Sequence, residues 1–293
     1  MRFGIVVLPQ FSWPEARRRW SKAEQLGFDT AWTYDHLSWR SLADQPWSAT
    51  VPTLVGAALV TERIRLGTFV TSPNFRHPVP FAKDIATLDE MSGGRVTLGI
   101  GAGGTGFDAY VLGERELTGR ERFARYAEFV AGLDTLLRFE PDGGGAVSFD
   151  GDWFTAVSAR MVGEPAQRPR MPFVLAGNGP KGIALAARRG QGWVTTGPEG
   201  ATADDWWAAV ARLGSRLDGE LAAAGRDGER FDRYLSIDSG GTYSLSNPAY
   251  LDDTVGRAAE LGFTDLVLHW PRDGEPYAGT EDALDDFAAR YLS

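Results

Sequence analysis

Short apolar runs and helical segments alternate eight times along this chain, and no other feature narrows its fold as much. The runs fall at residues 3–8, 30–33, 64–70, 96–100, 173–176, 192–195, 234–238 and 265–268. Most are apolar at successive positions, as expected of parallel strands buried on both faces. Between them apolar residues recur at steps of three and four. Examples are Phe123, Tyr126, Val130, Leu133 and Leu137, then Trp206, Val210, Leu213, Leu217 and Leu221. Alternation with short connections predicts an α/β protein with a parallel sheet, and eight units predict closure into a (β/α)8 TIM barrel. The 293 residues fit one domain spanning 1–293, because such barrels take about 250 residues. Leu-Gly-Phe recurs at Leu26-Gly27-Phe28 and Leu261-Gly262-Phe263. Glycine there, and at Gly190, predicts helix C-caps before a return strand.

One segment breaks the rhythm. Residues 139–171 run from a glycine-rich tract through two short apolar stretches, 147–149 and 153–156, around Asp150-Gly151. This predicts a β-hairpin inserted between helix 4 and strand 5. Decoration and a lid over the site both suit it.

Composition excludes several classes. No cysteine is present, so thiolate zinc sites, disulfides and cysteine nucleophiles drop out. The three histidines, His36, His77 and His269, share no metal-type spacing, and no metal is expected. A net charge of −9 speaks against nucleic acid, which needs clustered positive charge. No stretch approaches the roughly 18 apolar residues of a membrane span, and the N-terminal apolar run is short for a signal segment. Neither nucleic acid nor membrane is an expected partner, and the expected location is cytoplasmic.

In a barrel of this kind the site lies at the C-terminal ends of the strands. The first end offers Pro9, Gln10 and Phe11. The second offers Tyr34-Asp35-His36 and a loop with Trp39 and Trp47. A His beside an Asp has the composition of a general acid/base, although neighbours on a strand point opposite ways. The third end carries Thr71, Ser72, Asn74, Arg76 and His77, and the fourth carries Gly101, Gly103, Gly104 and Gly106. These glycines allow a flat ligand to approach, but no helix follows them directly, as a dinucleotide fingerprint requires. The fifth end, Ala176-Gly177-Asn178-Gly179-Pro180-Lys181, precedes a helix and suits an anion, with Thr195 and Thr196 of the sixth end as hydroxyl donors. These ends hold few carboxylates, Asp35 and Asp238 being the main ones, which disfavours a paired-carboxylate hydrolase.

Taken in order, these ends resemble the bacterial luciferase-like superfamily of flavin- and deazaflavin-dependent oxidoreductases. The resemblance rests on Tyr34-Asp35-His36-Leu37, Arg63-Ile64-Arg65-Leu66-Gly67-Thr68, Arg76-His77-Pro78, Ser92-Gly93-Gly94-Arg95, Leu98-Gly99-Ile100-Gly101, and Ala176-Gly177-Asn178-Gly179 with Gly190-Gln191-Gly192-Trp193. It spans essentially the whole chain and marks the superfamily, with no one member singled out. It implies coenzyme F420, or alternatively FMN, with the ring over Phe69, Val70 and Thr71 and a cis Phe69–Val70 peptide. Gly101, Gly103 and Gly104 would clear the ring. The phosphate would lie at Gly177, Asn178 and Gly179 with Lys181, Thr195 and Thr196. His36 would move the proton while Asp35 orients its loop, and Phe11, Trp39, Trp47 and Asn74 would face a small-molecule substrate. Arg160, Arg168 and Arg170 could meet the acidic tail of a deazaflavin. The sugar-phosphate dehydrogenases of the superfamily hold a catalytic Glu where this chain has Gly104, so their substrate does not transfer. The implied activity is F420-dependent hydride transfer. The alternatives are an FMN monooxygenase fed by a separate flavin reductase, and a non-catalytic flavin-binding barrel. A homodimer is the expected assembly.

Overall fold

The computed structural model describes residues 1–138, 145–163 and 165–292, so residues 139–144 and 164 of the expected insertion lie outside the described residues. The barrel strands are β1 (Arg2–Val6), β2 (Thr30–Thr33), β3 (Arg65–Thr71), β4 (Val96–Ile100), β7 (Phe173–Ala176), β8 (Gly192–Thr195), β9 (Asp232–Ser236) and β10 (Asp265–His269). They form one closed sheet in the order β1-β10-β9-β8-β7-β4-β3-β2. A helix follows each: α1 (Trp13–Leu26), α2 (Thr50–Leu59), α3 (Pro78–Met91), α4 (Gly119–Leu137), α5 (Pro180–Arg189), α6 (Ala203–Ala223), α7 (Pro248–Glu260) and α8 (Glu281–Tyr291). This is the expected (β/α)8 barrel. The inserted hairpin is β5 (Val147–Asp150) paired antiparallel with β6 (Thr155–Ala159).

The chain divides into two compact units. The first comprises Met1–Leu8, Arg18–Trp32 and Phe173–Ser293. Its strands β8 and β10 are buried at every position, which explains their unbroken apolar runs. Helix α8 packs by Phe287, whose ring meets Phe3 edge-on at 5.2 Å and stacks on Phe28 at 5.6 Å. Gly27 and Gly262 both adopt positive φ, 93° and 75°, and turn their helices back into strands as the Leu-Gly-Phe repeat requires. Gly190 ends α5 differently. Its φ is −87°, and glycine is needed because a Cβ would stand 2.7 Å from the Gly192 carbonyl oxygen.

The second unit comprises Pro9–Arg17 and Thr33–Pro172. At the N-terminal end of its strands Arg95 forms a knot. Its guanidinium donates to the carbonyls of Ala58, Thr61, Ile64 and Ser92 at 2.7–3.0 Å. The Ser92-Gly93-Gly94-Arg95 motif is thus structural and lies opposite the ligand end. The hairpin is docked on α3 and α4: Phe154 packs on Phe129 and His77, and Glu128 accepts from the Trp153 and Phe154 amides at 3.0 and 2.6 Å. Downstream, Gln167 binds Asp89 through its amide and side chain. Arg170 is buried and pairs with Asp134 at 2.6 Å. Burial would raise the Asp134 carboxyl, but bonds from Arg138 and Arg170 outweigh it and hold the group below its usual range. Arg170 is therefore committed to the fold and does not face a cofactor tail.

Candidate active site

In the second unit the loops after β2, β3 and β4 converge on two carboxylates. Asp35, 1% exposed, follows β2. It accepts from Thr71 Oγ1 at 2.5 Å and from Arg76 through Nε at 3.1 Å and Nη2 at 2.6 Å. This bidentate pair locks the end of β2 to the end of β3. Arg76 also lies over the rings of Phe75 and Phe81, at 5.1 and 5.0 Å. Asp35 is buried and its acceptor positions are taken, so its role here is to fix loops.

His36 turns to a different acid. Its Nδ1 lies 2.9 Å from Asp108 Oδ2, and the same oxygen accepts the Leu37 amide at 2.8 Å. Asp108 is 3% exposed and comes from the long loop between β4 and α4. That loop ends where Thr118 and Glu121 form a capping box at the start of α4. Sequence reasoning missed Asp108 as the partner of His36. The one local signal was an acid flanked by Phe107 and Ala109 in a loop otherwise rich in glycine. With Nδ1 on a carboxylate, the imidazole has a fixed orientation and its other nitrogen is left to exchange a proton.

An aromatic wall continues from His36. Tyr34 meets His36 at 6.2 Å and Trp39 at 5.1 Å, both edge-on, and Trp39 stacks with Trp47 at 6.2 Å. The Ser48 amide binds the Pro9 carbonyl at 2.7 Å, which brings the segment with half-buried Phe11 into the same unit. Asn74 is placed differently from the sequence expectation. It is 3% exposed, accepts from Arg125 Nη2 at 2.8 Å, and backs the glycine loop. A Cβ on Gly103, whose φ is +78°, would stand 2.3 Å from Asn74 Oδ1. At Gly104 a Cβ would meet nothing within 4 Å. The Gly101 amide binds the Thr71 carbonyl at 2.8 Å, and the Phe69–Val70 peptide is cis.

In the first unit, residues after β7 and β8 are stapled together. Thr195 Oγ1 donates to Asn178 Oδ1 at 2.7 Å, and Asn178 Nδ2 donates to Thr196 Oγ1 and the Gly197 carbonyl at 2.8 and 2.9 Å. Trp193 Nε1 donates to the Gly177 carbonyl at 2.7 Å, while Ala176 ends β7. Gly177 packs on Gly182, where a Cβ would stand 2.9 Å from backbone. Helix α5 starts at Gly179-Pro180 with no side-chain cap, and Thr196 and Lys181 are exposed beside it. Thr195 and Asn178 are therefore spent on positioning the loop, Thr196 Oγ1 donates to the Gly197 carbonyl at 3.1 Å, and the uncapped helix start presents backbone N–H groups to an anion.

The same unit holds a second acid–histidine pair that sequence reasoning did not find. His269 Nδ1 lies 2.8 Å from Asp238 Oδ2, the Tyr277 ring stacks on His269 at 3.8 Å, and Tyr243 donates to the His269 carbonyl at 2.8 Å. Both members are essentially inaccessible to solvent. Burial, then the Asp238 charge, pushes the Tyr243 phenol well above its usual range. The pair ties the end of β10 to the turn that follows β9. Among the described residues no cluster could hold a metal ion, and no helix is long and apolar enough to cross a membrane.

Similarity to an F420-dependent glucose-6-phosphate dehydrogenase of Beutenbergia cavernae reaches 38% identity over 186 residues, 61% of this chain and 51% of that protein. A 5,10-methylenetetrahydromethanopterin reductase of Archaeoglobus fulgidus is 31% identical over 232 residues, 79% of this chain and 62% of its own. The chain thus spans about half to three-fifths of the length of these curated relatives. A monooxygenase of Streptomyces bottropensis shares the fold at a TM-score of 0.78 and 22% identity, covering 100% of this chain and 99% of its own. The model of the luciferase-like monooxygenase family matches residues 1–239, and the chain belongs to that family.

Proposed function

We propose that this protein is an F420-dependent oxidoreductase acting on a small organic substrate. The observation that carries the reading is the His36–Asp108 pair after β2 and β4, in a loop that Asp35 ties to the end of β3 through Thr71 and Arg76. The names of the curated relatives support the deazaflavin over FMN. The residues present suit the cofactor. Phe69, Val70 and Thr71 end β3, Gly101, Gly103 and Gly104 project no side chains, and the uncapped start of α5 suits a phosphate, with Lys181 exposed beside it.

Bound F420 supplies hydride transfer. The chain supplies the rest. Asp108 orients His36, so that His36 can give a proton to the substrate oxygen or take one from it. Asp35 holds the loop that carries His36. Tyr34, Trp39 and Trp47 wall the substrate side, and the exposed Phe107 beside Asp108 extends the apolar surface. Gly104 brings no carboxylate, so a sugar phosphate is not proposed as the substrate. The inserted hairpin acts as a buttress for α3 and α4. We place the protein in the cytoplasm, where a soluble reduced cofactor is available, as a homodimer. Exposed Leu59 and Met91, which close α2 and α3, support the dimer, and sedimentation tests it.

Titration of the purified protein with F420 and with FMN, followed by fluorescence, tests the reading. Quenching by F420 with weak or no response to FMN supports it. Binding of FMN alone would move the chemistry to a monooxygenase, and binding of neither would sink the proposal.

A further inference from the structure

Beside the loop at Asn178 the first unit carries a cleft of about 350 Å³ that no step above uses. It is lined by the apolar Pro180, Pro198 and Leu213 and by Arg212 and Arg216 of α6, whose side chains are exposed. The two arginines are four residues apart, one above the other on a single helix face and about 6 Å apart along the axis. Like charges at that spacing weaken a helix. Neither guanidinium meets a carboxylate among the described residues, although other arginines of this unit do: Arg18 pairs with Glu281, Arg226 with Glu229 and Arg233 with Asp218. Even Asp218, two residues beyond Arg216, is taken by Arg233. In a chain of net charge −9, a repelling and unpartnered pair beside an apolar lining is a local anion attractor.

We propose that Arg212 and Arg216 bind the carboxylates of an acidic, glutamate-type tail that extends from the cofactor phosphate. This rests on the F420 reading and adds to it. The cleft shares Asn178 and Pro180 with the loop assigned to the phosphate, so a chain leaving the phosphate enters it directly. Guanidinium forks match carboxylates bidentately, and two of them one helical turn apart suit successive acidic groups along a chain better than one compact ion. The apolar lining accommodates the methylenes between those groups.

The test measures dissociation constants at low salt for three probes: the deazaflavin alcohol without phosphate, the phosphate-bearing form without glutamates, and F420 with its glutamate chain. The wild type should bind the last most tightly. Arg212→Ala/Arg216→Ala should lose about 10- to 100-fold for the glutamate-bearing form and leave the other two unchanged. The loss should fade as salt rises, and Arg212→Lys/Arg216→Lys should recover part of it. Alanine favours helix, and circular dichroism verifies that α6 persists. Equal losses on all forms, or no loss, would overturn the tail site while leaving F420 binding intact. Failure of the wild type to bind any probe would overturn the cofactor reading and this inference together.

Discussion

Replacing Asp108 by Asn keeps the size of the side chain and removes its charge. In the native protein one carboxylate oxygen accepts from His36 Nδ1 at 2.9 Å and from the Leu37 amide at 2.8 Å. A hydrogen bond to a charged group contributes about 1.5–3 kcal/mol and a neutral one about 0.5–1.5. Two bonds that each lose about 1 kcal/mol give about 2 kcal/mol. The loss falls on a surface loop, so it should appear as easier local opening more than as global unfolding. Hydrogen exchange reads this directly. The Leu37 amide should exchange about 30-fold faster in Asp108→Asn, since about 1.4 kcal/mol is tenfold. Amides of β8 and β10 serve as controls and should not change. Unchanged protection at Leu37 would refute the claim that Asp108 holds the His36 loop.

Other expectations follow from the same geometry. His36→Asn should cut turnover by about 100-fold or more while F420 affinity, read by quenching, changes little. Gly103→Ala should cost about 1–3 kcal/mol in chemical denaturation, because positive φ and Asn74 both oppose a side chain there. Gly104→Glu, with open space around it, should stay within about 0.5 kcal/mol of wild type. At Glu281 a hydrogen bond from Arg18, aided by Lys22, holds the carboxyl at about 2, below its ordinary 4.5. A depressed carboxyl stabilises the fold above its unfolded value. The stability difference between wild type and Glu281→Gln should therefore be full near neutrality and vanish as pH falls from 4.5 toward about 2. The effect is modest, since Arg18 is 44% exposed.

Much of the barrel was legible because its strands are buried on both faces and end at glycine or polar residues. Thr30–Thr33, Val96–Ile100, Phe173–Ala176 and Gly192–Thr195 match their apolar runs residue for residue. Where apolarity and backbone pairing part company the reading slips. Val7 and Leu8 are buried but lie past the end of β1, and polar Asp232 and Arg233 begin β9 because they pair with Gly192 and Trp193. The second hairpin strand was expected from Trp153 and starts at Thr155, because the Trp153 and Phe154 amides bind Glu128. The candidate site was legible only in part. Strand-end position pointed to His36 and to Asp35 as an orienting residue. The partner of His36 lies 72 residues away in a loop without periodicity, and no local pattern announces that contact. Asn74 carries the polarity of a pocket residue, and only its bond to Arg125 shows it to be buried support.

The central claim is that His36, held by Asp108, addresses the reacting edge of a deazaflavin seated on Phe69, Val70 and Thr71. A crystal structure of the protein with F420 tests it most directly. The ring should lie against Phe69 and Val70, with His36 Nε2 turned toward its reacting edge and Nδ1 still on Asp108. A ring bound elsewhere, or a His36 that faces away from it, would contradict the account.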